Sequence, residues 1–317
     1  MTQDELLTLL ASLRRAQVAG RRAPHKPLLL LWLVGRFVAR GSTAVSYAEA
    51  EEPVSRMIND FGPAVSDRGR ARRRAAMPFV HLERELWDLR DATGTPLDAR
   101  VPDQSGWLHR QGAHGRLRPE VEALLATPGV PARAVRLLLD QHFTPALEPA
   151  VCAAAGLDLT ELEDAALRLV VDGAPAGRRR PVRRAGFAEE VLRTYAYACA
   201  MCGFDGALGR DPVGLEAAHI RWHSQEGPDE LPNALALCSL HHTLFDFGVL
   251  GLTPERRIRV SALYVARGRA GLAVADLDGE PLTVPRRAEE APAAHFVEWH
   301  DTQVFKRGRA LAGSAER

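Results

Sequence analysis

Apolar residues recur at helical spacing through roughly the first half of the chain and give way to short alternating runs beyond about residue 185. Leu6, Leu7, Leu10 and Leu13 stand three and four apart, which predicts an amphipathic helix over 3–16. Gly20, Pro24 and Pro27 break that pattern. The segment after them, "PLLLLWLVGRFVAR", is apolar almost all round and predicts a central buried helix beginning at Pro27, a residue suited to a first turn. Residues 48–60 read as another helix, and "FGPAVSDRGRARRRAAMP" as a basic loop. The short alternation in "FVHLERELWDLR" predicts a hairpin, and at least two more helices are expected between Arg118 and Val171.

The segment "DGAPAGRRRPVRR" has no apolar period and is rich in Gly, Pro and Arg, which reads as a linker. After it come a helix running into a CxxC turn ("AGFAEEVLRTYAYACAMCG"), a strand in "VGLEAAHI", and a short helix with strands across "NALALCSLHHTLFDFGVLG". The last residues, "GRALAGSAER", read as a frayed tail. The organisation expected is a mainly helical domain over 1–171, a basic linker over 172–184 and a second domain over 185–300, an α+β chain in all. At 317 residues and 46% hydrophobic content, each domain can bury a core of its own.

Charge changes this picture only locally. The net charge is +1, and arginine supplies nearly all the positive charge, since Lys26 and Lys306 are the only lysines. The arginine bias has a purely compositional explanation, but two runs are dense: Arg68 to Arg74 and Gly177 to Arg184. Such runs serve as nucleic-acid contacts or as solvated loops and tethers. The start of the chain lacks the pattern of a signal peptide, and the most apolar run, Leu28 to Val34, is far shorter than the roughly 20 residues of a membrane span. A cytoplasmic protein with no membrane partner is expected, and the clustering of three of the four cysteines fits a reducing compartment better than disulfides.

Those three cysteines carry the chemistry. Cys199-x-x-Cys202 and Cys238-x-x-His241 form two knuckles with 35 residues between Cys202 and Cys238. Two residues between ligands let one tight turn aim both side chains at one ion, so two knuckles predict a structural Zn²⁺ held by three thiolates and an imidazole. A redox pair or unligated buried cysteines are the competing readings. His219, Asn233 and His242 are left over, in the order H, N, H.

With "EAAHIRWH", "LPNALALC" and "LHHTLFD" flanked by the knuckles, residues 190–260 resemble the HNH endonuclease family with its ββα-metal fold. The resemblance implies that His219 is the general base, that Asn233 orients its imidazole and caps the helix carrying His242, and that His242 ligates a catalytic Mg²⁺ or Mn²⁺. Phosphodiester hydrolysis needs those parts: a near-neutral base to deprotonate water and a hard cation to offset charge on the phosphate and the leaving oxygen. Many family members carry an Asp or His immediately before the base; here that residue is Ala218. The second ligand then falls to Asp246, to Glu216 or to His223. Asp246 is slightly preferred, because Glu216 is an odd number of strand positions from His219 and points to the opposite face.

The first domain has no helix-turn-helix or zinc-finger signature. "RRAPHKPLLLLWLVGRF" and "MPFVHLERELWDLR" resemble the sulfur-binding domain of the McrA-like phosphorothioate-dependent HNH restriction endonucleases. By that resemblance Met77, Pro78 and His81 line an apolar cup for a sulfur that replaces a phosphate oxygen, and Arg21 and Arg22 hold the modified phosphate and base edges. Sulfur is a poorer hydrogen-bond acceptor than oxygen, so an apolar cup favours it. Met77 stands where an aromatic is expected and His81 where a small residue is usual. Arg68, Arg72 and Arg73 would track the backbone. The function implied is a type IV restriction endonuclease acting on phosphorothioated double-stranded DNA, as a homodimer because one finger cuts one strand. A reader of methylated or other modified bases, a nonspecific nuclease and a catalytically inactive DNA-binding protein are the alternatives.

Overall fold

Thr2 starts the first helix, α1 (Gln3–Ala11), by a reciprocal cap: its hydroxyl accepts from the Glu5 N–H, and its own N–H donates to Glu5 Oε2 at 2.7 Å. The helix stops five residues short of the expected end, because Ser12 folds its N–H and its hydroxyl back onto the Thr8 and Leu9 carbonyls. The computed structural model describes residues 1–14, 17–18, 21–22, 24–63, 65, 67–158, 160–161, 164, 184 and 186–307, without the side chains at 17–18, 21–22 and 68. Most of the expected linker (172–183) and the tail (308–317) lie outside the described residues, as do most of residues 160–171. The chain divides into two units, Met1–Arg180 and Pro181–Arg317.

In the first unit, β1 (Gln17–Val18) and β2 (Arg21–Arg22) pair antiparallel ahead of α2 (His25–Arg40). The central helix starts two residues before Pro27, and Gly41, at φ 70°, ends it. It is buried from His25 through Leu31, and later helices of the unit pack around it. Next come β3 (Val45–Ser46), α3 (Tyr47–Phe61), α4 (Arg68–Arg72), α5 (Ala76–His81) and β4 (Trp87–Arg90). They are followed by α6 (Ser105–Arg110), β5 (His114–Leu117), α7 (Pro119–Leu125), α8 (Val130–His142) and α9 (Glu148–Ala155). The sheet order is β3-β5-β4, antiparallel throughout.

Two expectations fail here. The basic loop is partly helical, since Asp67 caps α4 through the Arg70 N–H. The hairpin over "FVHLERELWDLR" does not form: its first half is α5, and β4 pairs with β5 much later in the chain. Burial decides this, as Phe79 and Trp87 meet edge to face with centroids 5.2 Å apart, and the Trp87 indole N–H donates to the Phe79 carbonyl at 2.9 Å. A short apolar run is open to either secondary structure until such a contact settles it.

One close approach yields a stability prediction. A Cβ on Gly35 of α2 would lie 1.9 Å from the Ala155 carbonyl oxygen at the end of α9. Gly35→Ala is therefore expected to destabilise the first unit by about 1–3 kcal/mol, the usual cost of overpacking, read as a lower urea midpoint.

The second unit opens with α10 (Phe187–Thr194), followed by a small ribbon, β6 (Ala207–Leu208) with β7 (Asp211–Pro212). Then β8 (Leu215–His219) and β9 (Ala234–Cys238) pair antiparallel, with Leu215 opposite Cys238 and His219 opposite Ala234. Helix α11 (Ser239–Asp246) follows without a break, completing a ββα finger. The ribbon β10 (Leu250–Leu252) with β11 (Ile258–Val260), then α12 (Arg269–Ala275) and α13 (Ala294–Gln303), finish the unit. The helix expected to begin at Asn233 begins six residues later. Ala234 to Leu237 are all buried, with α10 and α11 both packed on the hairpin, so this strand lacks the alternation that marks a half-exposed one. The chain is α+β, and no helix among the described residues is long and apolar enough to cross a membrane.

Candidate functional site

The CxxC turn is shaped by backbone bonds: the Gly203 N–H donates to the Cys199 carbonyl, and the Cys199 N–H to the Phe204 carbonyl, each at 2.8 Å. Ala200 ties this turn to β9 by donating to Ala236. On the other side, Cys238 ends β9 and caps α11, whose first turn carries His241. Cys199, Cys202, Cys238 and His241 thereby bring one donor atom each to within 4.8 Å of one another. His241 Nδ1 lies 3.5 Å from Cys199 Sγ and 3.4 Å from Cys238 Sγ. A tetrahedral zinc site has sulfur–nitrogen separations of about 3.5 Å, so the donor set and its spacing fit that ion.

Electrostatics favours a cation in the same place. Burial alone would raise the Cys199 thiol, but the His241 ring and backbone N–H groups bring it down to about 6. Burial and the neighbouring sulfurs push Cys202 up to about 12 and also raise Cys238. Three thiolates cannot share so small a volume without a compensating positive charge.

At the other end of the hairpin, His219 closes β8 and is nearly buried. Its Nε2 is 2.8 Å from Asp229 Oδ1, its ring lies 5.3 Å from that of Phe187, and the His223 ring is 5.8 Å away. Asn233 does not cap α11, because a whole strand intervenes. Its fully buried amide spans the loop between β8 and β9, accepting from the Arg221 N–H at 2.8 Å and donating to the Arg221 and Pro228 carbonyls. Its carbonyl accepts from the Ile220 N–H at 2.9 Å. Asn233 thus holds the loop that carries Asp229, and the carboxylate is the group seated on the His219 ring. Asp229 was the residue sequence reasoning missed; a carboxylate four positions before the asparagine was its only signal.

His242, on α11, is held from both sides. Its Nδ1 is 2.6 Å from Glu216 Oε2, and its Nε2 is 3.4 Å from Asp246 Oδ2 one turn along the helix. The Ser239 hydroxyl donates to Glu216 Oε1 at 2.6 Å. Glu216 does turn away from His219, but onto α11. Glu216 is exposed, whereas Asp246 is only 2% exposed. His223 joins Asp229, at 3.9 Å, and not this trio. Behind the helix, His300 stacks on Phe245 with centroids 3.7 Å apart and donates from Nε2 to the Phe245 carbonyl. Burial lowers His300 to about 3, so it is a neutral strut for the helix end beside Asp246.

In the first unit the expected residues are dispersed over several elements. Arg21 and Arg22 form β2, with side chains outside the described residues, as is that of Arg68. Met77 and Pro78 sit in the first turn of α5, with Pro78 buried, and His81 ends it, 3.3 Å from Asp103. Arg72 and Arg73 are exposed, and Arg73 Nε donates to the Gly69 carbonyl. Arg74 is different: its guanidinium is buried on the Ile58 and Pro63 carbonyls, on Asn59 and on His25. Lys26, in the first turn of α2, is also internal, with Nζ 2.6 Å from Glu83 Oε1. These two cations brace the core beneath the exposed basic residues.

Residues 199–253 match the family model of the HNH endonuclease, and residues 3–160 match the ScoMcrA-like DNA sulfur-binding domain. No curated protein matches the chain. Among solved structures, the chain is similar to the sulfur-binding domain of SprMcrA complexed with phosphorothioated DNA, at 23% identity and TM-score 0.40, covering 50% of this chain and 95% of that one. It is similar to the sulfur-binding and SRA domains of ScoMcrA complexed with phosphorothioated DNA, at 27% identity and TM-score 0.42, covering 50% of this chain and 49% of that one. It is also similar to the type IV phosphorothioation-dependent restriction endonuclease ScoMcrA, at 14% identity and TM-score 0.36, covering 75% and 93%. The second unit makes the protein an HNH endonuclease. Joined to its first unit, it belongs with the McrA-like, modification-dependent restriction enzymes, which act on DNA.

Proposed function

We propose that the first unit recognises phosphorothioated duplex DNA and that the finger of the second unit hydrolyses a phosphodiester nearby. The observation that carries this reading is the ββα finger itself, with an imidazole–carboxylate pair at the end of β8 and a second imidazole gripped by two carboxylates on α11, downstream of a sulfur-binding domain match. His219 accepts a proton from the attacking water, and Asn233 fixes the loop around it. Zn²⁺ at Cys199, Cys202, Cys238 and His241 is structural, since four protein ligands leave no open position.

A hard cation, Mg²⁺ or Mn²⁺, would be held by His242 together with Glu216. Exposure favours Glu216 over the alternative carboxylate: a ligand to a catalytic ion must be reached by a DNA phosphate, and Asp246 is buried behind the imidazole. Asp246 then orients His242 from Nε2, the outer-shell role that carboxylates have toward metal-bound histidines. When bound there, the cation would supply positive charge to the scissile phosphate and the departing oxygen.

In the reader, Met77, Pro78 and His81 cup the sulfur, Arg21 and Arg22 take the modified phosphate, and Arg68, Arg72 and Arg73 add sequence-independent backbone contacts. Cutting both strands requires two fingers, hence a homodimer on DNA. The test is digestion, with Mn²⁺, of three duplexes of one sequence: one carrying a phosphorothioate of defined stereochemistry, one methylated and one plain. Ends close to the sulfur in the marked duplex alone are expected. Equal cutting of the sulfur-marked and plain duplexes would remove the sulfur-reading role, and cutting of the methylated duplex alone would transfer that role to a base mark.

A further inference from the structure

Within the second unit, Asp229 and His219 are paired in a way that base chemistry can use. The Asp229 carboxylate is tied at both oxygens: Oδ1 lies 2.8 Å from His219 Nε2, and Oδ2 accepts from the Arg184 backbone N–H at 2.5 Å. Both side chains are largely withdrawn from water, at 5% and 11% exposure. We propose that Asp229 is a positioning residue for the nuclease reaction, fixing the tautomer of His219 and strengthening it as a base. This inference rests on the reading of His219 as the general base.

The argument follows from proton placement. Burial would raise the Asp229 carboxyl, but the Arg184 N–H and the His219 ring more than offset this and hold it below its ordinary value. Asp229 is then an ionised group that can only accept, so the hydrogen between the two residues belongs to His219 Nε2. In neutral imidazole the lone pair is then on Nδ1, and the carboxylate makes that nitrogen more basic. The step balances simply. A water O–H gives its proton to Nδ1 as the water oxygen bonds to phosphorus, the bond from phosphorus to the leaving oxygen breaks, and that oxygen takes a proton from solvent. The imidazolium formed is stabilised by Asp229 across Nε2–H.

Several elements of the second unit face His219. Its partner on β9 is Ala234, and α10 contributes Phe187. The loop contributes His223, whose Nε2 is 3.9 Å from the same Asp229 oxygen. The Arg184 guanidinium lies over Phe187 and pairs with Glu190.

The test uses the full chain, on phosphorothioated plasmid with unmodified plasmid beside it, in Mn²⁺, measuring kcat against pH for the parent and for Asp229→Asn, Asp229→Ala, Asp229→Glu and His219→Ala. Asparagine can donate to Nε2 and so favours the wrong tautomer; its kcat is expected to fall on the order of 10²-fold, the low end of what a positioned base contributes. Without the carboxylate His219 loses its proton more readily, so the acid limb of the Asp229→Ala profile should move down by roughly one pH unit. Asp229→Glu should recover part of both losses, while zinc content and DNA binding stay at the parent level. A merely structural Asp229 would lower the amount of folded, zinc-loaded protein without moving the acid limb. If Asp229→Asn and Asp229→Ala keep kcat within twofold and the limb in place while His219→Ala is inactive, the positioning role is wrong and the base assignment stands. Parental cutting by His219→Ala would overturn both.

Discussion

A Cys199→Ser or Cys238→Ser protein is expected to lose its zinc and, with it, the folded second unit, while the first unit stays folded. The reason is where the cluster sits. Cys199 and Cys202 hold the turn after α10, Cys238 is both the last residue of β9 and the cap of α11, and His241 lies in the first turn of that helix. One ion therefore fastens three of the elements that carry the candidate site. Structural zinc contributes about 10–16 kcal/mol at neutral pH, as much as or more than the roughly 5–15 kcal/mol of net stability of an ordinary domain. Elemental analysis and limited proteolysis check this together: zinc absent and the second unit digested, with the first surviving. Cys152→Ser is the control, because Cys152 is buried in α9 of the first unit and is not one of the four clustered donors, so the zinc content should stay unchanged.

His242→Ala should suppress cleavage by roughly 10³-fold, corresponding to about 4 kcal/mol of lost transition-state stabilisation, within the range a metal centre supplies. The two carboxylates on His242 separate the ligand from its support. Glu216→Ala is expected to approach the loss of His242→Ala and to raise the Mn²⁺ concentration needed for half-maximal rate. Asp246→Asn, which keeps its shape, should cost 10- to 100-fold or about that, the usual effect of losing an outer-shell partner. Initial rates against Mn²⁺ concentration check the order. A larger loss for Asp246→Asn than for Glu216→Ala would make Asp246 the ligand.

How much of this was legible depended on whether the signal was local. The knuckles could be read directly, because two-residue spacing dictates a turn whatever surrounds it. The caps of α1 and α3, built on Thr2 with Glu5 and Ser46 with Glu49, are local too: α1 starts where its apolar spacing predicts, though it ends early, and α3 matches the expected 48–60 to within one residue at each end. Strand β9 was hidden because "ALAL" is buried at every position, and uniform burial erases the period that distinguishes strand from helix. The hairpin over residues 79–90 was misread for a related reason: the indole of Trp87 bonds to Phe79 across a helix end, a tertiary contact that no alternation encodes.

Charged residues were harder. Composition presents Arg68 to Arg74 as one basic run, yet Arg74 turns into the core while Arg72 and Arg73 stay exposed. Lys26, one of only two lysines, proves to be an internal partner of Glu83. Asp229 was overlooked because its relation to His219 is made by a loop whose shape depends on the buried amide of Asn233. The order H, N, H named the right positions to inspect, but the work done by the asparagine emerges only from the fold.

The most direct measurement is cleavage of phosphorothioated DNA by protein of known zinc content, first in the absence of other divalent ions and then across a Mn²⁺ titration. Protein with one zinc per chain should be inert at the start and should begin to cut as Mn²⁺ is added. Zinc-loaded protein that binds the marked DNA yet never cuts it at any Mn²⁺ or Mg²⁺ concentration would contradict a working nuclease finger.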